Sequence, residues 1–175
     1  MHKNIEIKAR VDDPAALCAA LDALCAEPAE LLRQDDSFFK TPDGRLKLRR
    51  FADGSAELLF YRRADVNGPK TSSYWRAPVS DAAALATLLD NALGSAGRVI
   101  KQRWLYRHGR TRIHVDEVQG LGHFMELEVV LAAVDSVADG EAEAHDLMQR
   151  LQIRPQQLVA GAYLDLLNAN MDTAT

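Results

Sequence analysis

An antiparallel α+β fold, with enough strands to close a small barrel, is the class that this sequence predicts. Three observations carry that expectation. Eight segments repeat apolar residues with the two-residue period of a strand. Tight-turn chemistry in Pro42-Asp43-Gly44, Asp53-Gly54 and Asn67-Gly68-Pro69 joins several of them as hairpins, and hairpin neighbours run antiparallel. Alanine- and leucine-rich stretches with helical spacing are inserted between the strands or appended after them. Eight strands suffice to close a small barrel with helices on its flanks.

Residues 4–11 form the first strand: Ile5, Ile7, Ala9 and Val11 share one face, and Asn4, Glu6, Lys8 and Arg10 the other. Asp12 or Asp13 caps a helix with Pro14 in its first turn, running to about Ala26 before Pro28 breaks it. Strands follow over residues 32–40, 45–51, 56–63 and 70–79. A second helix spans 81–93 and ends at Gly94. Three further strands cover 98–107, 110–118 and 123–131, joined by His108-Gly109 and by Gln119-Gly120-Leu121-Gly122. A third helix covers 140–151, and a last helical stretch 155–167. Residues 1–170 read as one domain and 171–175 as a polar tail, frayed from Asn168 onward.

Composition excludes several classes. The 175 residues carry 21 Lys+Arg against 25 Asp+Glu, a formal charge of −4, with 47% hydrophobic and 26% charged residues. That is globular composition, long enough for a sizeable core. The mild acidity, with no basic exposed helix, argues against a nucleic-acid partner. No apolar run reaches the ~20 residues of a membrane span, and the N-terminus has no signal-peptide core. The expected setting is therefore the cytoplasm. Cys18 and Cys25 fall on one helix in this reading, seven residues or roughly 10 Å apart along it. That is too far for a disulfide, so both are expected as small buried residues.

Strand periodicity also groups the charges. Lys47 and Arg49 share a face, as do Lys101 and Arg103. Arg110, Arg112, His114 and Asp116 line one face of the next strand, and Glu126 and Glu128 one face of the last. The plain alternative is that each is a solvated strand face. Against it, Glu126 and Glu128 lie roughly 6–7 Å apart and favour a cation between them. The Arg-rich basic positions suit bidentate phosphate recognition. The opposite faces, Ile5/Ile7, Leu46/Leu48 and Leu127/Val129, are apolar enough to form a core beneath helices. If the sheet closes, the charges line a lumen whose natural guest is a triphosphate with a divalent metal.

With these blocks in view, the sequence resembles the CYTH superfamily, the triphosphate tunnel metalloenzymes. Asn4-Ile5-Glu6-Ile7-Lys8 is similar to that family's N-terminal Glu-x-Glu-x-Lys signature. Residues 32–39, 44–49, 101–106, 113–116 and 124–128 resemble further family blocks in family order, so the likeness covers about residues 4–167. It implies an eight-stranded antiparallel tunnel. It implies Glu6, Glu126 and Glu128 as ligands of Mg²⁺ or Mn²⁺, and Lys8, Lys47, Arg49, Lys70, Lys101, Arg103 and Arg112 as triphosphate-binding cations. Glu6, Lys8, Asp116, Glu126 and Glu128 are the implied catalytic group, with Asp116 and a metal-bound water the candidate bases. The nearest branch resembles the class IV adenylyl cyclases, which would convert ATP to cyclic AMP and pyrophosphate. A tunnel triphosphatase acting on inorganic, thiamine or nucleoside triphosphate is the alternative, and a non-catalytic polyphosphate-binding module the next. The implied partner is thus a small-molecule triphosphate, bound by a monomer or homodimer. One departure stands out: Asn4 occupies the first signature position, where its amide oxygen can still bind a metal or hold a water but brings no charge, which implies weaker binding at one metal position or a single tightly held metal.

Several other residues read as structural. His114 is expected to line the lumen or hold Asp116 rather than to shuttle protons. Trp75, Trp104 and Tyr106 are expected to pack. Ser72 and Ser73 stay open between a loop role and phosphate contact, and Gly120-Leu121-Gly122 lacks the rest of a phosphate loop.

Overall fold

The computed structural model describes residues 2–172. Eight strands close into a barrel: β1 (His2–Arg10), β2 (Glu30–Phe39), β3 (Arg45–Phe51), β4 (Ala56–Arg63), β5 (Lys70–Pro78), β6 (Ser95–His108), β7 (Thr111–Val118) and β8 (Gly122–Leu131). Their order around the barrel is β1-β5-β4-β3-β2-β6-β7-β8, with β8 returning to β1, and every neighbouring pair is antiparallel. Closure removes the sheet edges and sends alternate residues inward and outward on every strand. Antiparallel order also defines two ends. At the front, β1, β2, β4 and β7 begin and the other four strands finish; at the back the roles reverse.

The apolar faces point outward, and the helices cover them. Helix α1 (Pro14–Leu24) starts where Asp13 Oδ1 accepts a 2.9 Å hydrogen bond from Ala16 N–H. With α3 (Val137–Arg150) it buries Ile7, Leu17, Leu21, Ile113, Met125, Leu127 and Leu147 against β1, β7 and β8. Gly140 lets α3 approach closely, since a Cβ there would sit 2.7 Å from Ile5 Cγ1. Helix α2 (Ala82–Leu93) covers Phe39, Leu48 and Ala56 with Leu85 and Leu89. Helix α4 (Tyr163–Asp172) packs Tyr163 and Leu164 against Phe38, Val99 and Phe124 at the back end. No described helix is long and apolar enough to cross a membrane.

The structure corrects several boundaries. Helix α1 ends at Leu24, so buried Cys25 is extended chain beyond it, and Cys18 is half-buried. Strand β6 begins at Ser95, earlier than its alternation shows, because Gly97 (φ +133°) and a register shift at Phe38/Phe39 interrupt the period. Arg110 lies in the β6–β7 turn, paired with Glu143 and Asp135 at 2.7 Å each, and is not on the β7 face. The stretch 155–167 is not one helix. A 3₁₀ turn at Pro155–Gln157 precedes an extended passage in which Leu158 bridges Ala9 and Val159 N–H donates to Lys8 C=O (2.9 Å). Helix α4 continues past Asn168 to Asp172, into the expected tail, and residues 173–175 lie outside the described ones.

Candidate active site

The inward faces enclose a cavity of about 250 Å³. Strand β1 contributes Asn4, Glu6 and Lys8; β3 Lys47 and Arg49; β4 Glu57, Leu59, Tyr61 and Arg63; β6 Lys101 and Arg103; β7 Arg112 and His114; and β8 Glu126 and Glu128. With Asp36 from β2 and Arg76 from β5, eight cationic side chains meet five carboxylates on this wall. The excess of positive charge in a confined space attracts polyanions.

Two buried aspartates organise the cations. Asp36 accepts a bidentate pair from Arg49 (both 2.7 Å) and a third bond from Lys47 (2.8 Å). Burial pushes the Asp36 carboxyl upward, but Arg49 and Lys47 outweigh it and hold the group well below the carboxylate range. Asp116 accepts two 2.6 Å bonds from Arg103, one from Lys101 (3.2 Å) and one from the Tyr163 hydroxyl (2.9 Å). It is fully buried and lies behind the cavity wall. Burial raises its pKa, and Arg103 and Lys101 bring it well below normal. Asp116 is thus corrected from candidate base to positioning residue: its oxygens are committed to three donors and it has little proton affinity.

The cations respond in turn. Burial, reinforced by Arg49, lowers Lys47 to about 7 despite Asp36. Lys8 is lowered by burial against the pull of Glu126, 3.3 Å away, and its ammonium sits 3.7 Å from the centre of the Tyr163 ring. Lys70 does not reach the cavity: its Nζ donates to Val66 C=O (2.9 Å), and burial lowers it to about 8. That is the second correction, since its strand face is right but its head group is turned to the β4–β5 loop.

The carboxylates divide into two sets. Glu126 accepts from Arg103 (2.5 Å) and pairs with Lys8, while Glu128 pairs with Arg112 at 2.7 Å. His114 Nδ1 stands 3.8 Å from Glu126 and 3.9 Å from Glu128, so it faces the glutamates and not Asp116. Glu6 is gripped instead by Arg63. Burial raises Glu6, with Glu128 and Glu126 adding to it and Arg63 opposing.

The donor set fits a divalent cation. Among the described residues, ligand atoms of His114, Glu126 and Glu128 lie within 4.8 Å of one another. His114 Nδ1 is buried with no hydrogen-bond partner among the described residues, and burial together with Arg103 lowers its pKa; the neutral ring offers a lone pair at Nδ1 when the proton sits on Nε2. Burial raises Glu126, but Lys8 and Arg103 hold it well below normal. Burial raises Glu128 as well, and His114 when protonated, with Arg112, brings it below its usual value. Two ionised carboxylates are the hard oxygen donors that Mg²⁺ and Mn²⁺ take.

Sequence reading missed Arg63, Tyr61 and Asp36. The period of β4 puts Tyr61 and Arg63 on one face, which is the only local signal. The aromatic expectations divide: Tyr106 is buried in the core and Trp104 packs against it, whereas Trp75 is 38% exposed beside Phe60. Ser72 lines the cavity.

A closed antiparallel barrel whose lumen holds paired cations and a carboxylate cluster defines the class of triphosphate-tunnel folds. The sequence profile of the CYTH domain matches residues 2–163, and the chain belongs to that family. It is 27% identical over 177 residues to adenylate cyclase CyaB of Aeromonas hydrophila, covering 96% of this chain and 90% of the relative. Among solved structures, the PH1012 protein of Pyrococcus horikoshii OT3 superposes with a TM-score of 0.85 at 21% identity, covering 94% and 99% of the two chains. HpAC1 from Hippeastrum, whose structure is described as revealing a dominant triphosphatase activity, gives 0.66 at 16% identity over 95% and 96%. At these identities the two structures share the fold.

Proposed function

We propose that this protein is a metal-dependent enzyme of a nucleoside triphosphate, converting ATP to cyclic AMP, pyrophosphate and a proton. The observation that carries the reading is the polarity of the lumen. Most of its cations and the Glu126–Glu128–His114 cluster occupy the middle and back, with Arg76 and Arg112 nearer the front, where Leu32, Phe51 and Leu59 are half-buried. Inorganic triphosphate has no use for an apolar rim; a nucleobase does.

In this reading Lys47, Arg49, Lys101 and Arg103 bind the phosphate chain. Asp36 and Asp116 fix their orientation before substrate arrives, so stabilising charge is in place without reorganisation. Lys8, Arg63 and Arg112 are drawn from their glutamate partners toward phosphate oxygens. Glu126, Glu128 and His114, with Glu6 nearby, would hold Mg²⁺ or Mn²⁺, which supplies Lewis-acid charge to the phosphates. The ribose 3′-oxygen bonds to the α-phosphorus as the bond from that phosphorus to the pyrophosphate oxygen breaks. Positioning selects this outcome over attack by water on the terminal phosphorus. The relationship to CyaB over most of both chains supports the cyclase over the hydrolase. The binding unit in this reading is a monomer or homodimer. The cytoplasm, which supplies ATP and keeps Cys18 and Cys25 reduced, is the setting.

Product analysis tests the proposal. Purified protein with Mg²⁺ or Mn²⁺ is offered ATP, thiamine triphosphate and inorganic triphosphate separately. Cyclic AMP with pyrophosphate from ATP is the expected result. Orthophosphate without cyclic AMP would make it a tunnel hydrolase, and no product from any would leave a binding module.

A further inference from the structure

Asn4 lines the lumen, is only 2% exposed, and its Oδ1 has no hydrogen-bond partner among the described residues. Native structures leave few buried acceptors unpaired, because each forfeits its bonds to water. Turning the amide over would bury two N–H donors in the same place, which is worse. The surroundings explain the vacancy in pairing. The next lumen residue on β1, Glu6, is engaged by Arg63, and the cross-strand neighbours of Asn4 are Ser72 and Val130.

The missing partner is a donor or a cation, and Asn4 stands outside the His114–Glu126–Glu128 cluster, which leaves a donor. Phosphate oxygens are acceptors and cannot satisfy Oδ1. Lys8, Lys47 and Lys101 are engaged by Glu126, Asp36 and Asp116, and Arg63, whose Nε and Nη2 lack hydrogen-bond partners among the described residues, is turned to Glu6 and Asp65. Position narrows the choice. Asn4 stands one step frontward of Glu6, which pairs across strands with Glu128, and so lies between the charged middle and the apolar rim. In a nucleoside triphosphate lying along the barrel, the group between phosphate and base is the sugar. A carboxylate here would also accept a hydrogen bond, but it would add a further charge beside Glu6 and Glu128 and repel phosphate. The amide accepts without that repulsion.

We propose that Asn4 Oδ1 accepts a hydrogen bond from a ribose hydroxyl, making Asn4 the residue that distinguishes ribonucleotides from deoxyribonucleotides. This rests on the nucleoside triphosphate reading above. The test is calorimetric binding of ATP, 2′-deoxy-ATP, 3′-deoxy-ATP and inorganic triphosphate in EDTA, where turnover is blocked. One deoxynucleotide should bind the parent protein about tenfold more weakly than ATP, the worth of one uncharged hydrogen bond with an otherwise orphaned acceptor. Asn4→Leu keeps the side-chain shape and removes the acceptor. It should bring ATP to the level of that deoxynucleotide, with inorganic triphosphate bound within about twofold of the parent value. Asn4→Ala should do the same, and melting curves identify any variant that has lost its fold. Equal binding of all three nucleotides by the parent would overturn the proposal, as would a gap that persists in both variants. Binding of inorganic triphosphate without binding of ATP would instead remove the nucleotide reading itself, and absence of all binding would remove both.

Discussion

Asp116→Asn tests whether the buried aspartates hold the lumen together. The substitution keeps the shape of the side chain but removes the charge that compensates Arg103 and Lys101, and its amide N–H₂ points at their N–H groups. Asp116 is fully buried and Arg103 is 5% exposed, so water cannot take over. Breaking a buried, hydrogen-bonded ion pair from one side costs about 3–5 kcal/mol. At roughly 2–4 °C per kcal/mol for a chain of this size, melting should fall by about 10 °C. The internal comparison is Asp35→Asn. Asp35 makes an equally short bidentate pair with Arg98 (both 2.7 Å), but Arg98 is 60% exposed, and the loss should stay under about 1 kcal/mol. Urea unfolding followed by circular dichroism and by tryptophan fluorescence gives both values. Because the folded-state pKa of Asp116 is depressed, its contribution is complete above the unfolded value of about 4 and is lost as pH falls below it. The parent should therefore lose stability below about pH 4, and that part of the loss should be missing in Asp116→Asn. A loss below about 1 kcal/mol at pH 7, or an unchanged acid profile, would refute the reasoning.

Other consequences can be checked separately. Lys47, near 7 in the free protein, should be driven to its charged form by a bound polyanion. Binding of inorganic triphosphate at pH 7–8 should take up protons, visible as a buffer-dependent heat, and should weaken as pH rises further. Mn²⁺ binding to the nucleotide-free protein, read by electron paramagnetic resonance, should weaken at least tenfold in Glu126→Gln or Glu128→Gln. It should change by less than about threefold in Glu6→Gln, because Glu6 stands outside the cluster in which ligand atoms of His114, Glu126 and Glu128 come within 4.8 Å of one another. Gly44→Ala should destabilise by about 2 kcal/mol or more in thermal melts, since Gly44 has φ +70° and its Cβ would lie 2.7 Å from Tyr61 C=O.

The barrel was legible because closure leaves the two-residue period intact. Ile5/Ile7 and Leu127/Val129 mark outward faces that helices must cover, and the charges between them have only the lumen to enter. Individual head groups were less legible. Lys70 has the correct period, yet its Nζ turns to Val66 C=O, a partner fixed by the conformation of the β4–β5 loop. Arg63 closes a strand and reads as a solvated end; it is buried only because barrel closure brings Glu6 beside it. Asp116 reads as a free carboxylate until β6 sets Arg103 directly opposite. Residues 158–162 look helical by composition, and only their pairing with Lys8 and Ala9 makes them extended. Such pairings join segments far apart in the chain, and local periodicity does not encode them.

The claim beneath all of this is that the lumen binds a triphosphate. Calorimetric titration of the parent protein and of Lys47→Gln with inorganic triphosphate tests it most directly. Lys47 is the safe choice for substitution, because Asp36 keeps its bidentate bonds to Arg49. The account predicts one site per chain, with affinity at least tenfold lower in Lys47→Gln, as loss of one charge-assisted hydrogen bond requires. No saturable binding, or binding indifferent to Lys47→Gln, would contradict it.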